Sequence, residues 1–299
     1  MPISWFFRRN LDLSQATIRR STEADITPVA RLFREGIRRH YGFLGNELPG
    51  LLTKGYGVVV EFKAEIWGVA VVGPVVRQTS CLRGVALSGG IEQKATLHTL
   101  IPPLHENAQS HGIRYIFCSC DETTDAWLLS VLCQKGYIHD TDVLIYEKTT
   151  MDAPSQGNQA IHIRPACPSD IETIVALDHI CFEPQWAKDQ AVINAVISQG
   201  LFFIVAEVGS RVVGYAYASS HFEGQLAHLI RLAVAPSWRG QGIGVRLLAE
   251  IVSFARRQDT HLITLNTQSY NIAAQRLYHW FGFVATGDRH HIVRCDLEQ

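Results

Sequence analysis

The residues best equipped for chemistry lie in the run Leu232-Ala233-Val234-Ala235-Pro236-Ser237-Trp238-Arg239-Gly240-Gln241-Gly242-Ile243-Gly244-Val245-Arg246. Residues without side chains ahead of a helix let backbone N–H groups close around an anion, and the helix dipole favours negative charge there. Arg239, Gly240, Gln241, Gly242, Ile243 and Gly244 are therefore candidate ligands of a phosphate or pyrophosphate. Two familiar phosphate loops are excluded. A P-loop needs Lys and then Ser or Thr after its last glycine, where this chain has Val245 and Arg246. A dinucleotide fingerprint starting at Gly240 needs glycine at position 245, which is valine. The pattern alone leaves a second reading open, a helix start that is merely rich in glycine.

Three elements must position this turn. Leu232-Ala233-Val234 reads as the end of an apolar strand, Pro236 as the turn, and Leu247, Leu248, Ile251, Val252 and Ala255 as the apolar stripe of the following helix. Further on, Leu262-Ile263-Thr264-Leu265-Asn266 reads as a strand, followed by Asn271, Ala274, Leu277, Tyr278, Gly282 and Phe283. Together these residues resemble the GCN5-related N-acetyltransferase (GNAT) superfamily. That family pairs Arg/Gln-x-x-Gly-x-Gly/Ala after a Leu-Ala-Val-x-Pro strand end with a later Asn-x-x-Ala-x-x-Leu-Tyr-x-x-x-Gly-Phe. Ile163-Arg164-Pro165-Ala166 with Asp170-Ile171 resembles the family's first strand and helix, and Val213-Gly214-Tyr215-Ala216 its third strand. The resemblance covers about residues 160–299.

It implies an α/β (α+β) fold with a central mixed, mainly antiparallel sheet flanked by helices. It also implies acetyl-CoA as co-substrate, no metal, and an acetyl group moved to a primary amine by direct attack. The pantetheine arm would run beside Leu232, Ala233 and Val234, with the pyrophosphate on the amides from Arg239 to Gly244. Tyr278 matches the usual general acid, because a phenol with a pKa near 10 keeps its proton at neutral pH; a core aromatic is the other reading. Asn271 would fix the pantetheine or simply cap a helix. The family's usual base is a Glu, and His228 stands at its position, so either catalysis or a structural strand histidine is open there; Glu223 is the alternative base. Arg246, Arg256 and Arg257 could meet the adenosine 3′-phosphate or be solvated helix charges. The acceptor is a small-molecule amine or a peptide or protein N-terminus; Cys181-Phe182-Glu183-Pro184-Gln185-Trp186 resembles the region bordering the acceptor in ribosomal-protein N-terminal acetyltransferases. A non-catalytic acyl-CoA sensor or scaffold, and an O-acyltransferase, remain alternatives.

Bulk properties bound the rest. A chain of 299 residues with 47% hydrophobic and 18% charged residues is globular and long enough for two domains. A net charge of −1 argues against a nucleic-acid surface, and no apolar run reaches membrane-span length. Met1-Pro2-Ile3-Ser4-Trp5-Phe6-Phe7-Arg8-Arg9 is unlike a secretory signal, and seven cysteines fit a reducing cytoplasm. The chain also resembles itself: Ile18-Arg19-Arg20-Ser21 mirrors Ile163-Arg164-Pro165-Ala166, and Trp67-Gly68-Val69-Ala70 mirrors Val213-Gly214-Tyr215-Ala216. Two tandem GNAT-like domains are expected, 1–150 and 160–299, joined by a polar, turn-rich segment. In the first copy the phosphate-loop positions become Gln93, Thr96 and His98, Tyr278 becomes Leu132 and Asn271 becomes Asp125, so cofactor binding is expected only in the second. A divergent loop at Ser88-Gly89-Gly90 is the rival.

Overall fold

A computed structural model describes residues 11–43 and 45–297. The Met1–Arg9 stretch lies outside the described residues. By contacts the chain divides into two compact units, Met1–Asp140 with His290–Gln299, and Thr141–Arg289. These are not the contiguous halves 1–150 and 160–299. Strand pairing shifts the boundary: β7 (Ile138–Lys148) begins in the first unit and ends in the second, and β13 (Val284–Asp296) does the reverse.

The first unit runs β1 (Thr17–Arg20), α1 (Ile26–Glu35), β2 (Arg38–Tyr41), α2 (Leu48–Thr53), β3 (Gly57–Phe62), β4 (Glu65–Val72), β5 (Thr79–Leu87), α3 (Gln93–Ser110), β6 (Tyr115–Asp121) and α4 (Ala126–Gln134). The second runs β8 (His162–Pro165), α5 (Ile171–Cys181), α6 (Gln190–Ser198), β9 (Phe202–Val208), β10 (Arg211–His221), β11 (Leu226–Val234), α7 (Ile243–Arg257), β12 (Leu262–Gln268) and α8 (Ile272–Trp280). The order is the same twice, with one exception: no strand between α5 and α6 answers to β2. Within each unit the strand pairing is mixed and mainly antiparallel, and all of these strands belong to one 13-stranded sheet. In the second unit β8, β9, β10 and β11 pair antiparallel in that order, β11 and β12 pair parallel, and β12 pairs antiparallel with β7. No described helix is long and apolar enough to cross a membrane.

Helices cover both faces of the sheet in the second unit, so β9 and β10 read as continuous apolar runs. Ile204, Ala206, Ala216 and Ala218 face the α7 stripe of Ile243, Leu247, Leu248, Ile251, Val252 and Ala255. Phe203, Val205, Tyr215 and Tyr217 face α5 and α6. These aromatics are core, at 0–5% exposure. Fully burying one large apolar side chain stabilises the fold by about 1.5–3 kcal/mol, which holds the sheet rigid beneath the site.

One irregularity matters more than the regular pairing. Tyr217 pairs with Arg231 but Ala218 pairs with Leu229, leaving Ile230 as an extra residue in β11. The bulge flips the strand: Ala227 and Leu229 face α7 before it, and Arg231 and Ala233 face α5 after it. Parallel pairing of β11 with β12 covers only Leu226 to Leu229. Beyond the bulge the two strands part.

Candidate active site

The glycine turn has the geometry that its composition requires. Gly240 and Gly242 lie at φ +76° and +75°, and Gly242 caps α7. A side chain there would cost about 1–2 kcal/mol in backbone strain. The N–H groups of Gly240 through Val245 meet no acceptor among the described residues, so six consecutive amides remain for a ligand. Their orientation is fixed from behind. Asn158 donates from Nδ2 to the Gln241 carbonyl (3.0 Å) and from its backbone N–H to the Gly242 carbonyl (3.3 Å). Gly157, at φ +68°, packs so closely on the helix start that a Cβ would lie 2.4 Å from the Arg246 nitrogen. Both residues belong to what sequence reading treats only as a linker. Their role depends on contacts to a loop more than eighty positions away, and no local pattern signals it.

Beyond the bulge, Leu232, Ala233 and Val234 pair with β10 on one side only. Leu232 and Val234 meet Leu277 of α8 around Gly244, where a Cβ would find them at 3.9, 3.9 and 3.7 Å. The strand end, helix start and α8 thus converge, and the open edge offers backbone groups to an extended amide-bearing arm. Arg239 turns its Nε onto the Val234 carbonyl (3.1 Å), away from catalysis. Arg246 is paired with Glu250 (2.8 Å) and with Gln159. Arg256 and Arg257 occupy the last turn of α7, about 20 Å along the axis from the glycine turn. They complement the helix dipole there, and the 3′-phosphate reading does not fit them.

Tyr278 is a buried aromatic of α8. Its ring packs near Tyr146 and Phe283, and burial pushes its pKa up to about 12. Its hydroxyl has no protein partner among the described residues. Asn271 is the N-cap of α8, its side chain accepting from the Ala274 N–H (3.3 Å). His228 lies two residues before the bulge on the α5 face, its Nδ1 sharing a hydrogen bond with Thr264 Oγ1 (2.8 Å). Burial, and then the nearby His221, pushes the imidazole pKa down, so the ring is neutral and able to accept a proton. Glu223 sits exposed in the turn ahead of β11, and the four strand residues from Leu226 to the bulge at Ile230 add about 13 Å.

A buried polar network closes the α5 side. Asp178 is fully buried; it accepts from the Tyr215 hydroxyl, Arg231 Nε (2.8 Å) and the Lys188 N–H (2.7 Å). Arg231 stacks 3.4 Å over the Phe182 ring and donates to the Trp186 carbonyl (2.7 Å). Trp186 Nε1 donates to the Tyr270 hydroxyl, which donates to Glu183. The segment from Phe182 to Lys188 is thereby held across the bulge. The one clue in the sequence was a lone arginine inside Leu229-Ile230-Arg231-Leu232.

Residues 171–283 match the model of the acetyltransferase (GNAT) family, so this segment is similar to that family over 171–283. The rat (Rattus norvegicus) N-acetylaspartate synthetase is 33% identical over 94 residues, 31% of each chain. A Bacillus subtilis (strain 168) candidate ribosomal-protein-bS18-alanine N-acetyltransferase is 25% identical over 120 residues, 40% of this chain and 78% of its own. The chain spans about a third of the length of the first of these relatives. A tandem GNAT protein from the clavulanic acid biosynthesis pathway shares the fold over 95% of this chain and 99% of its own, with TM-score 0.62 and 12% identity.

Compared with the second unit, the first differs at two corresponding places. The edge of β5 is not open: β2 pairs along it, Arg38 opposite Leu87 through Tyr41 opposite Gly84. The start of α3 is not free either. The Glu92 carboxylate accepts from the Lys94 N–H (3.1 Å) and the Ala95 N–H. A strand of the first unit lies where the second has an open edge, and a carboxylate lies where the second has free amides.

Proposed function

We propose that the second unit is a GNAT domain that transfers an acetyl group from acetyl-CoA to a primary amine, and that it is the working copy of a tandem pair. The observation that carries this is the row of free amides from Gly240 to Val245 beside the one-sided strand edge at Leu232–Val234. The pyrophosphate would rest on the amides of Gly240 to Val245, the Arg239 N–H being taken by the Pro236 carbonyl (3.3 Å), and the pantetheine arm along the strand edge. His228 takes the proton of the attacking amine, directly or through water. The amine nitrogen bonds to the thioester carbon, the C–S bond breaks, and the Tyr278 hydroxyl gives its proton to the departing thiolate. Asn271 sets the start of α8 and so the height of Tyr278. The names of the relatives support either a small amine or a protein N-terminus as acceptor, and the free thiols suit a reducing cytoplasm. In the first unit β2 and Glu92 stand in for an arm and an anion, which supports a degenerate copy.

Calorimetric titration with coenzyme A is expected to find one site per chain, and two sites would sink the degenerate-copy reading. Thiol release with a panel of amines is expected in the native protein and strongly reduced in Tyr278→Phe. Tight coenzyme binding with no turnover on any amine would instead make this a sensor, and turnover only with hydroxyl acceptors an O-acyltransferase.

A further inference from the structure

The strand that fills the first unit's edge carries a histidine into a cluster of thiols. His40, on β2, places Nε2 3.6 Å from Cys118 Sγ, and its Nδ1 lies 3.0 Å from Asp125 Oδ2. Asp125 is itself fixed, accepting from the Asp121 N–H (3.0 Å). Cys118 and Cys120 lie on the same face of β6 with sulfurs 3.4 Å apart, and both are fully buried. With the carboxylate holding Nδ1–H, the bare Nε2 lone pair points at the Cys118 thiol, an arrangement of base, orienter and nucleophile. A second thiol lies in contact with the first.

We propose that Cys118 and Cys120 form a reversible oxidation site for a small hydroperoxide, with His40 and Asp125 as its base pair. His40 Nε2 takes the Cys118 proton, and the thiolate attacks one peroxide oxygen. The O–O bond breaks, leaving Cys118 as a sulfenic acid, and the other oxygen departs as hydroxide and takes the imidazolium proton to become water. Cys120 then attacks the Cys118 sulfur: the S–S bond forms, the S–O bond breaks, and hydroxide leaves with the Cys120 proton as a second water. The sulfurs lose two electrons and hydrogen peroxide gains them. Cys118 needs the base, because the adjacent Cys120 thiol and burial push its thiol pKa well up. The imidazole and carboxylate beside the cluster are 9% and 11% exposed and the two thiols are fully buried, so a small neutral peroxide suits the site better than a bulky disulfide. Residues two apart on a strand sit about 6.6 Å apart, at the upper end of the disulfide range, so the bond formed is strained and easily reduced.

The test uses the full chain, hydrogen peroxide and peptide-level mass spectrometry, with exposed Cys133 as internal reference. Peroxide is expected to remove two hydrogens from the peptide holding Cys118 and Cys120 faster than it oxidises Cys133, and dithiothreitol to restore them. Oxidised glutathione is expected to leave that peptide unchanged. In Cys120→Ser a sulfenic acid at Cys118 is expected to be trapped by dimedone, whereas Cys118→Ser should trap none at Cys120. His40→Asn and, separately, Asp125→Asn should slow the reaction, about a hundredfold for the histidine, with the Cys133 rate unchanged. Thermal melting identifies any variant that fails to fold, and the two cysteine variants decide the matter without His40. Oxidation no faster than at Cys133, trapping at Cys120 instead of Cys118, or reaction with glutathione disulfide at a comparable rate would each overturn the proposal. A bound zinc ion that blocks oxidation until it is chelated would do the same.

Discussion

Gly157→Ala isolates the buttress behind the glycine turn. A methyl group there would lie 2.4 Å from the Arg246 nitrogen, 2.7 Å from its Cα and 2.8 Å from the Gly242 carbonyl oxygen. These are backbone atoms at a helix start and cannot recede, so the segment holding Asn158 must lift. The left-handed conformation costs an alanine about 1–2 kcal/mol, and each of the two Asn158 bonds to the loop contributes about 0.5–1.5 kcal/mol. The total is about 2–5 kcal/mol. At about 2–4 °C per kcal/mol for a unit of this size, the thermal midpoint of the second unit falls by roughly 4–20 °C. Once the Gln241 and Gly242 carbonyls are released, the amides lose their aim, and the Kd for coenzyme A rises about tenfold, equivalent to ~1.4 kcal/mol. Thermal scanning and calorimetry with coenzyme A read both numbers. Gly112→Ala is the control: φ is +76° there but nothing lies within 4 Å, so it costs about 1 kcal/mol and leaves the Kd alone. A Gly157→Ala protein with the native midpoint and the native Kd would refute the reasoning.

Gly244→Ala should behave oppositely: its methyl meets only ordinary contacts at 3.7–3.9 Å, so melting is unchanged while the coenzyme Kd rises about tenfold, as titration will read. Tyr278→Phe keeps the packed ring and breaks no protein hydrogen bond, so stability should hold within about 0.5 kcal/mol while kcat falls about a hundredfold. For the same enzyme, kcat/KM should decline in acid only below the ordinary histidine value, since His228 is pushed down, and that limb should vanish in His228→Ala; Tyr278, at about 12, adds no basic limb near pH 9. Burial, and then Lys135, lowers His105 to about 4, so the unfolded chain binds its proton first. Its contribution is intact above the unfolded value of about 6.5 and declines by about 3 kcal/mol as pH falls toward 4, a slope that urea titrations should find flattened in His105→Gln.

Features of the site that arise within one element or its ends were legible in the sequence. Glycine at 240 and 242, the α7 stripe and the Asn271 cap are local consequences of backbone sterics and period. Features that arise from distant pairing were not. Asn158 acts on a loop far along the chain, and Arg38-Arg39-His40-Tyr41 has no alternation that marks a strand; it becomes β2 because β5 offers an edge. The bulge at Ile230 leaves no mark in an apolar run, yet it sets which side chains face α5. The exchange of β7 and β13 across the boundary was likewise invisible, because each strand reads the same whichever unit it joins.

That exchange has a consequence for synthesis. Residues 290–296 pair with β6, so the first unit cannot complete its strand pairing until the far end of the chain has emerged. About 150 residues separate Asp140 from that strand, roughly 10–30 s of translation at 5–20 residues per second. Throughout that interval β6 presents an unpaired edge rich in Ile116, Phe117, Cys118 and Cys120, the period in which a nascent chain is most exposed to mispairing.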